Sequence, residues 1–378
     1  MQIKSDYDVA IIGGGLAGLA TSILVSQSGY SVILFEKEKY PFHKVCGEYV
    51  SLESWDFLIQ LGLPLPQMGL PIIDKLLLTS PNGNVFQTKL PLGGFGISRF
   101  YLDSQLVNIA KQKGVHILED TKVDEVVYNS NFQVIAHPIK FFSTVCCAAY
   151  GKRSNLDIKW KRSFLNSPNK RLENYVGIKY HIRTNWEKNV IGLHNFENGY
   201  CGISKIEEDK YCLCYMTVAD NLKKSNNNIS QLEENLLYKN QHLKKIFLNS
   251  EKIDSFPVAI SQINFNKKTQ VEKGILMLGD SGGMITPLCG NGMSIALHSA
   301  KIAATLIKDF LGQKISRPEM EECYTKEWTY LFANRLKTGR VLQNFFGSNR
   351  LSNVFVSAFN LLPFLARPLI KMTHGKPF

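Results

Sequence analysis

The chain has cysteines but no cysteine pattern. Its eight Cys residues stand singly (Cys46, Cys201, Cys289, Cys323) or as Cys146-Cys147 and Cys212-x-Cys214. With no Cys-x-x-Cys and no His-x-His among eight dispersed histidines, no zinc site, redox dithiol or other metal centre is predicted. Reduced thiols in a cytoplasmic setting are the simplest account. No apolar run approaches the ~20 residues of a membrane-spanning helix, and Pro363 and Pro368 interrupt the most apolar segment. A strand-like run begins at Asp8, which leaves no room before it for a cleavable leader. Internal repeats and low-complexity stretches are also missing. At 378 residues, 44% hydrophobic and 20% charged, the composition is globular and the length exceeds one compact core. Two lobes, or one domain with large insertions, are expected.

Acid is the residue type most unevenly absent. The net charge is +12, and from Trp328 to Phe378 there is no Asp or Glu, against Arg335, Lys337, Arg340, Arg350, Arg367, Lys371 and Lys376. Phe345, Phe346, Phe355, Phe359, Phe364 and several leucines lie between them. Such a segment can cover the protein's own core with a solvated basic rim, lie on an anionic membrane surface, or bind nucleic acid. No nucleic-acid motif accompanies the charge, so no nucleic-acid partner is expected. Core cover is favoured, with peripheral contact at the inner face of a membrane as the alternative. The sequence specifies no oligomeric state.

What is present is concentrated at the start. The apolar run Val9 to Ile12 is followed at once by Gly13-x-Gly15-x-x-Gly18 and a helix-compatible stretch from Leu19 to Ser28. A second apolar run, Ser31 to Phe35, ends in Glu36, 18 residues after Gly18. Strand, glycine turn, helix, strand and acid in this register predict a dinucleotide site. Gly13 makes the tight turn, Gly15 lets a pyrophosphate approach the backbone, and Gly18 lets helix and strand pack closely. Free N–H groups of the helix N-terminus face the phosphate, and Glu36 reaches ribose hydroxyls.

Further along, Pro41 and Cys46-Gly47 make a bent loop from Lys37 to Ser51, followed by a short helix from Ser51 to Leu61. Ile72 to Leu78 and Val85 to Leu90 flank Asn82-Gly83, a hairpin signal. Ile97 to Asp103 returns to the first lobe, with a helix from Ser104 to Gly114 and strands at 115–118, 122–128, 132–136 and 144–149. Alternating strands at 175–182, 189–196, 199–206 and 210–217, then a helix from Ile229 to Lys245, predict an antiparallel sheet with helical cover. A second glycine block follows: a buried strand ends at Gly279-Asp280, and Pro287-x-x-Gly290-Asn291-Gly292-Met293 leads into a helix from Ile295 to Leu311. Asp280 is placed to accept from a ribose or ribitol hydroxyl. A plain helix cap would explain the acid but not the glycines around it.

The Gly13/Gly15/Gly18/Glu36 unit, Ile97-x-Arg99-x-x-x-Asp103 and the Gly279-Asp280 block together resemble the FAD-dependent oxidoreductases of the para-hydroxybenzoate-hydroxylase fold. Lys44-x-Cys46-Gly47, and Gly283 where aromatic hydroxylases usually carry histidine, make the chain most similar to the geranylgeranyl-reductase-like branch. The resemblance covers residues 6 to 310 and implies an α/β fold: a Rossmann-type FAD-binding domain, an antiparallel-sheet substrate domain and a helical C-terminal tail. The segments expected are 1–75, 97–155 and 265–311 for the FAD domain, 76–96 and 156–264 for the substrate domain, and 312–378 for the tail. The implied cofactor-binding set is Gly13, Gly15, Leu16, Ala17, Gly18, Glu36, Lys37, Lys44, Cys46, Gly47, Arg99, Gly279, Asp280, Pro287, Gly290, Asn291, Gly292 and Met293, with non-covalent FAD.

Departures from the family pattern narrow the reaction. Ala149-Tyr150-Gly151 lacks the aspartate that hydroxylases carry there, which weakens hydroxylation. Tyr200-Cys-Gly202 keeps the tyrosine of a prenyl-reductase strand without its Trp and Phe, and no Trp-x-Trp-x-Ile-Pro segment of halogenases is present. There is no second strand–glycine–helix unit for a nicotinamide domain, so NAD(P)H must bind transiently, or a redox partner must supply electrons. The leading expectation is hydride transfer between FAD and a small apolar substrate of prenyl, lipid or polyketide type. Cys46 and Tyr200 are the catalytic candidates, as proton donor or gate; a small apolar filler and an ordinary strand aromatic are the alternatives. Rival expectations are a flavin monooxygenase and a non-catalytic binding protein.

Overall fold

Two strands of almost wholly apolar sequence open the chain, β1 (Asp6–Ile12) and β2 (Val32–Phe35), joined by helix α1 (Leu16–Ser26). The computed structural model describes residues 6–166, 174–346 and 348–378. The expected segments 1–75, 156–264 and 312–378 thus each include residues, 1–5, 167–173 and 347, outside the described ones. Next come β3 (Tyr49–Ser51), α2 (Trp55–Gln60), β4 (Ile72–Thr79), β5 (Val85–Gly96) and α3 (Arg99–Gln112). They are followed by β6 (His116–Leu118), β7 (Glu125–Asn129), β8 (Asn131–Ala136), β9 (Ile139–Ala148) and α4 (Asn155–Lys159). The middle of the chain carries β10 (Tyr175–Arg183), β11 (Val190–Phe196), β12 (Gly199–Lys205), β13 (Tyr211–Val218), α5 (Ala219–Lys224), α6 (Ile229–Asn235), α7 (Gln241–Leu248), β14 (Glu251–Lys252) and β15 (Val258–Ile263). Last are β16 (Val271–Glu272), β17 (Ile275–Met277), α8 (Gly292–Leu311), α9 (Arg317–Phe345), α10 (Asn349–Leu361) and α11 (Ala366–Thr373).

The first sheet has the order β16-β17-β9-β1-β2-β6, with β1 parallel to β2 and β9. Its central strands are buried on both faces, which is why they read as continuous apolar runs. Val9 and Ile11 enter one core with α1, α3 and α8, whereas Ala10 and Ile12 enter another with Phe132, Phe141 and Trp160. One strand thus serves two layers through its period of two.

The second sheet has the order β14-β10-β13-β12-β11-β4-β5-β3. It is antiparallel among the described residues except where β4 lies parallel to β11, with Leu76 beside Ile191 and Leu78 beside Leu193. It recruits Tyr49–Ser51 through β3 and starts β4 at Ile72, so the second lobe begins ahead of the expected boundary at residue 75. One face, with Tyr180, Phe196, Leu213 and Tyr215, is covered by the helices between Ala219 and Leu248.

Several element boundaries move for local reasons. Helix α3 starts at Arg99 and not Ser104, because the Ser98 hydroxyl accepts from the Tyr101 N–H as its cap. The expected helix from Ile229 to Lys245 breaks, since the Asn240 side chain accepts from the His242 and Leu243 N–H groups and starts a new helix. Helix α8 begins at Gly292, three residues before Ile295.

Among the described residues the tail is mostly helical, and its inner face joins the main core through Trp328, Phe332, Leu336, Leu342, Val356 and Phe359. Asn353 and Asn360 tie α10 to the β4–β5 hairpin, accepting from the Asn82 N–H at 3.2 Å and donating to the Val85 carbonyl at 3.0 Å. Among the described residues no single helix is long and apolar enough to cross a membrane.

Candidate active site

The glycine turn comes first in the chain and has the tightest steric limits. Gly13 has φ +105°, and a β-carbon there would stand 2.5 Å from the Ala149 carbonyl oxygen. The Gly14 N–H donates to Glu36 Oε2 at 2.9 Å, so the acid at the end of β2 braces the turn with one oxygen. Gly15 caps α1 without a side-chain bond, and α1 carries no acid in its first turn, which leaves helix N–H groups for an anion. A β-carbon on Gly15 would meet only Arg99 Nη2 at 3.8 Å and Lys44 Nζ at 3.9 Å.

Those two cations share one carboxylate. Arg99 donates to both oxygens of Asp103 at 2.8 Å, and Lys44 reaches Oδ2 at 3.0 Å. Burial opposes the Asp103 charge, but Arg99 and then Lys44 overcome it and hold the carboxyl below its usual range. Two cations against one anion leave a net positive face over the glycine turn. That face and the bare helix start fit a pyrophosphate.

Across the groove, the Gly279 N–H donates to Ser299 Oγ at 3.0 Å. Among the described residues the Asp280 carboxylate has no hydrogen-bond partner, and burial raises its pKa against the opposing pull of Lys268, Arg99 and Lys152. An unpaired acceptor in such a place suits the hydroxyls of a ribitol chain. Tyr150 stands where the family aspartate is missing, and two residues further on is Lys152, which burial brings to about 8, as it does Lys268. The Arg162–Asp157 ion pair, 3.0 Å and fully buried, supports this turn, with Arg162 donating to the Ser281 carbonyl at 2.9 Å. The residues present therefore fit FAD.

The loop from Lys37 to Ser51 joins this cradle to the second sheet through Glu48. Its side chain is fully buried and its φ is +55°, a conformation that residues with a β-carbon seldom adopt. Glu48 Oε1 accepts from Lys179 Nζ at 2.8 Å and from the Arg99 N–H at 2.9 Å, and Oε2 lies 2.6 Å from His181 Nε2. Burial would raise the Glu48 pKa; His181 and Lys179 outweigh it and lower it. On its other ring nitrogen His181 lies 4.0 Å from Asp254, a carboxylate at the protein surface. Sequence reasoning missed this cluster. Its one signal is period two: Lys179 and His181 alternate with the apolar Ile178, Tyr180 and Ile182 on β10.

Cys46 sits two residues from Glu48, whose N–H donates to its sulfur at 3.4 Å, and burial pushes its thiol pKa up. It is a neutral thiol, suited to donate a proton rather than to attack. Tyr200 is buried as well, and its pKa is raised far more by burial, with Cys214, Cys289 and Cys46 within electrostatic reach. The structure thus brings both candidates to one side of the second sheet.

Neither lines the cavity on that side. A partly open apolar cavity of ≈ 90 Å³ lies between Leu76, Leu78, Ile191 and Leu193 of the sheet, the loop Leu288–Gly290, and the tail. Phe346 lines it and packs edge-on against Tyr200 at 6.4 Å between ring centres, which sets Tyr200 behind the wall. Cys289, on the loop beside the cofactor groove, does line it.

Other predicted site residues are placed differently from one another. Gly18, Leu16 and Ala17 are buried in α1, and Met293 in the first turn of α8. Gly47 has open space where a β-carbon would be, Gly290 has φ +65°, and Gly292 starts α8. Pro287 is exposed, and Lys37 is exposed and pairs with Glu38 at 3.5 Å. Asn291 departs from expectation. Its amide donates to the Thr373 carbonyl of the tail at 2.8 Å, so its donor group holds α11 and not a cofactor.

Comparison with known proteins agrees with this geometry. The squalene epoxidase family signature matches residues 203–360, and that of NAD(P)-binding Rossmann-like domains matches residues 11–45. The digeranylgeranylglycerophospholipid reductase of Methanocaldococcus jannaschii is 26% identical, over 86% of this chain and 83% of that one. Conditioned medium factor receptor 1 of Dictyostelium discoideum is 23% identical, over 99% of this chain and 78% of that one. Among solved structures, a geranylgeranyl bacteriochlorophyll reductase-like protein of Thermoplasma acidophilum superimposes with a TM-score of 0.77 at 16% identity, covering 94% of this chain and 91% of that one. The flavin-dependent brominase Bmp2 gives 0.77 at 19% identity, with 98% and 93% covered. These last two likenesses carry the fold alone, and the halogenase Trp-x-Trp segment is absent from this chain. Glycine cradle, two-sheet architecture and relatives converge: the chain has the para-hydroxybenzoate-hydroxylase fold of FAD-dependent oxidoreductases and is similar to their geranylgeranyl-reductase-like branch.

Proposed function

We propose that this enzyme transfers hydride between its flavin and an unsaturated, lipid-like substrate held in the cavity beneath the tail. The observation that carries the proposal is the lining of that cavity: its walls are almost wholly apolar and reach the Leu288–Gly290 loop beside the cofactor groove, around a small, partly open space of ≈ 90 Å³ that the tail must yield to enlarge for a lipid. The reductase of Methanocaldococcus jannaschii, whose name specifies a prenyl lipid, supports this substrate class.

FAD, when bound, supplies the two-electron chemistry. The chain's residues do the rest. Lys44, Arg99 and the start of α1 neutralise the pyrophosphate, Glu36 and Asp280 accept from sugar and ribitol hydroxyls, and the N-terminus of α8 presents its dipole to the ring's polar edge. The tail excludes water from the apolar pocket. Hydride delivery to a carbon must be accompanied by a proton, and the neutral thiol that lines the cavity is Cys289, whose pKa burial raises. The electrons come from NAD(P)H bound transiently or from a redox protein.

The test is anaerobic reduction of the purified yellow protein by NADPH, followed by a panel of polyprenyl lipids and quinones with mass analysis of products. A product two hydrogens heavier than its substrate, formed with reoxidation of the flavin, is expected. The squalene epoxidase match over residues 203–360 favours a second reading, oxygenation. A product one oxygen heavier, formed only in air, identifies that one.

A further inference from the structure

The tail has two apolar faces, and only one of them is used. The inner face of α10, with Val356 and Phe359, packs into the core, and Phe359 also lines the cavity. On the outer face Leu351, Val354, Ala358 and Leu361 recur at spacings of three, four and three, which is one side of a helix. Val354 is 66% exposed and Leu361 80%. The stripe continues through the bend after α10, where Leu362 is 45%, Phe364 69% and Leu365 43% exposed, and on to Met372 of α11 at 56%. Large apolar side chains left in water along one side of α10 and the bend after it mark an interaction surface.

Charge identifies the partner. Arg350, Arg367, Lys371 and Lys376 are exposed around the stripe, and no acid occurs from Trp328 onward. A second copy docking here would set one basic rim against another, which is repulsive. A surface of anionic lipid headgroups over hydrocarbon meets both requirements at once. Length sets the mode. At about 1.5 Å per residue, the thirteen residues of α10 span about 20 Å and the eight of α11 about 12 Å, both short of the ~30 Å hydrocarbon core, and the two helices are bent by 109°. The pair lies in the interface with the Leu361–Leu365 bend inserted.

We infer that α10 and α11 dock this enzyme onto anionic membrane surfaces through their outer face. The same two helices roof the cavity, so its apolar interior is one helix thickness from the lipid. This inference needs no assumption about the reaction.

The experiment is co-sedimentation of the flavin-loaded protein with vesicles of phosphatidylcholine alone and of phosphatidylcholine with phosphatidylserine. Binding to the mixed vesicles is expected, with little to the neutral ones. The triple variant Arg350→Gln, Arg367→Gln, Lys371→Gln lowers the partition by about a hundredfold, as three surface cations near a charged membrane imply. The variant Leu361→Ser, Phe364→Ser lowers it on both vesicle types. These side chains are solvent-exposed, and an unchanged flavin spectrum and thermal midpoint show that the variants are folded. Equal binding to both vesicle types, or binding indifferent to both variants, overturns the inference. So does a lack of binding together with a dimer that dissociates in the Leu361→Ser, Phe364→Ser variant, which makes the face a self-association surface.

Discussion

Glu48 ties the two halves of the site together through a single side chain. It satisfies Lys179 and the Arg99 N–H on one oxygen and faces His181 on the other, with Lys179 and His181 both buried. Truncation leaves a buried ammonium without its partner, so Glu48→Ala should cost about 3–5 kcal/mol of stability, measured by urea unfolding of the flavin-loaded protein. A loss under about 1 kcal/mol would mean that water replaces the carboxylate and that the cluster is not sealed. Lys44 acts at the same scale on the cofactor. Lys44→Met removes one of two cations over the glycine turn while Arg99 keeps its own pair with Asp103. FAD affinity should fall on the order of tenfold to a hundredfold, the worth of one charged hydrogen bond, with little change in the unfolding midpoint of the cofactor-free protein. Titration of that cofactor-free protein with FAD, followed by fluorescence quenching, reads both.

At the scale of elements, helix α9 explains a glycine. A β-carbon on Gly283 would lie 2.5 Å from the Trp328 ring, which α9 presses onto the second glycine block. Where hydroxylases of this fold hold a histidine, this chain has spent the space on its tail. Gly283→Ala is therefore an overpacking change expected to cost about 1–3 kcal/mol. The closest clash is with Trp328, although Leu336 Cδ2 would also lie at 2.9 Å, so adding Trp328→Leu should return part of that loss, and a double-mutant cycle with no coupling between the two sites would show that the contact is not the cause. Element boundaries were legible where a stop is written locally, as at Leu311, the expected end of α8, which Gly312 follows. They were missed where a cap lies within an apolar periodic stretch, as Asn240 does between α6 and α7.

For the whole molecule, acid should be felt before the carboxylates titrate. His194 is fully buried and held neutral, its pKa brought by burial to about 3, and burial brings His298 to about 4. Each binds a proton in the unfolded chain below about pH 6.5 but not in the folded one, so stability falls as pH drops through that value. For His194 the loss reaches about 2 kcal/mol near pH 5, and partly exposed His298 adds less. Glu48 and Asp103, whose folded pKa values are lowered, contribute stability that is present above the ordinary carboxylate range of about 4 and lost below it. Thermal midpoints should therefore decline in two stages, first between about pH 6.5 and 5 and again below about pH 4, and a flat profile down to about pH 5 would count against a neutral buried His194. By itself the sequence determined the nucleotide half: Gly13, Gly15, Gly18 and Glu36 act through turn geometry and a spacing of a few tens of residues, which one short stretch of chain enforces. It also determined that there would be a second sheet and a helical, basic tail. Only the tertiary structure decided that Lys179 and His181 meet a carboxylate more than 130 residues earlier, that Tyr200 stands behind Phe346, that Asn291 holds the tail, and that the tail roofs an apolar cavity. Those contacts depend on which buried faces of two sheets and three helices come to oppose one another, and no local spacing in the chain encodes that.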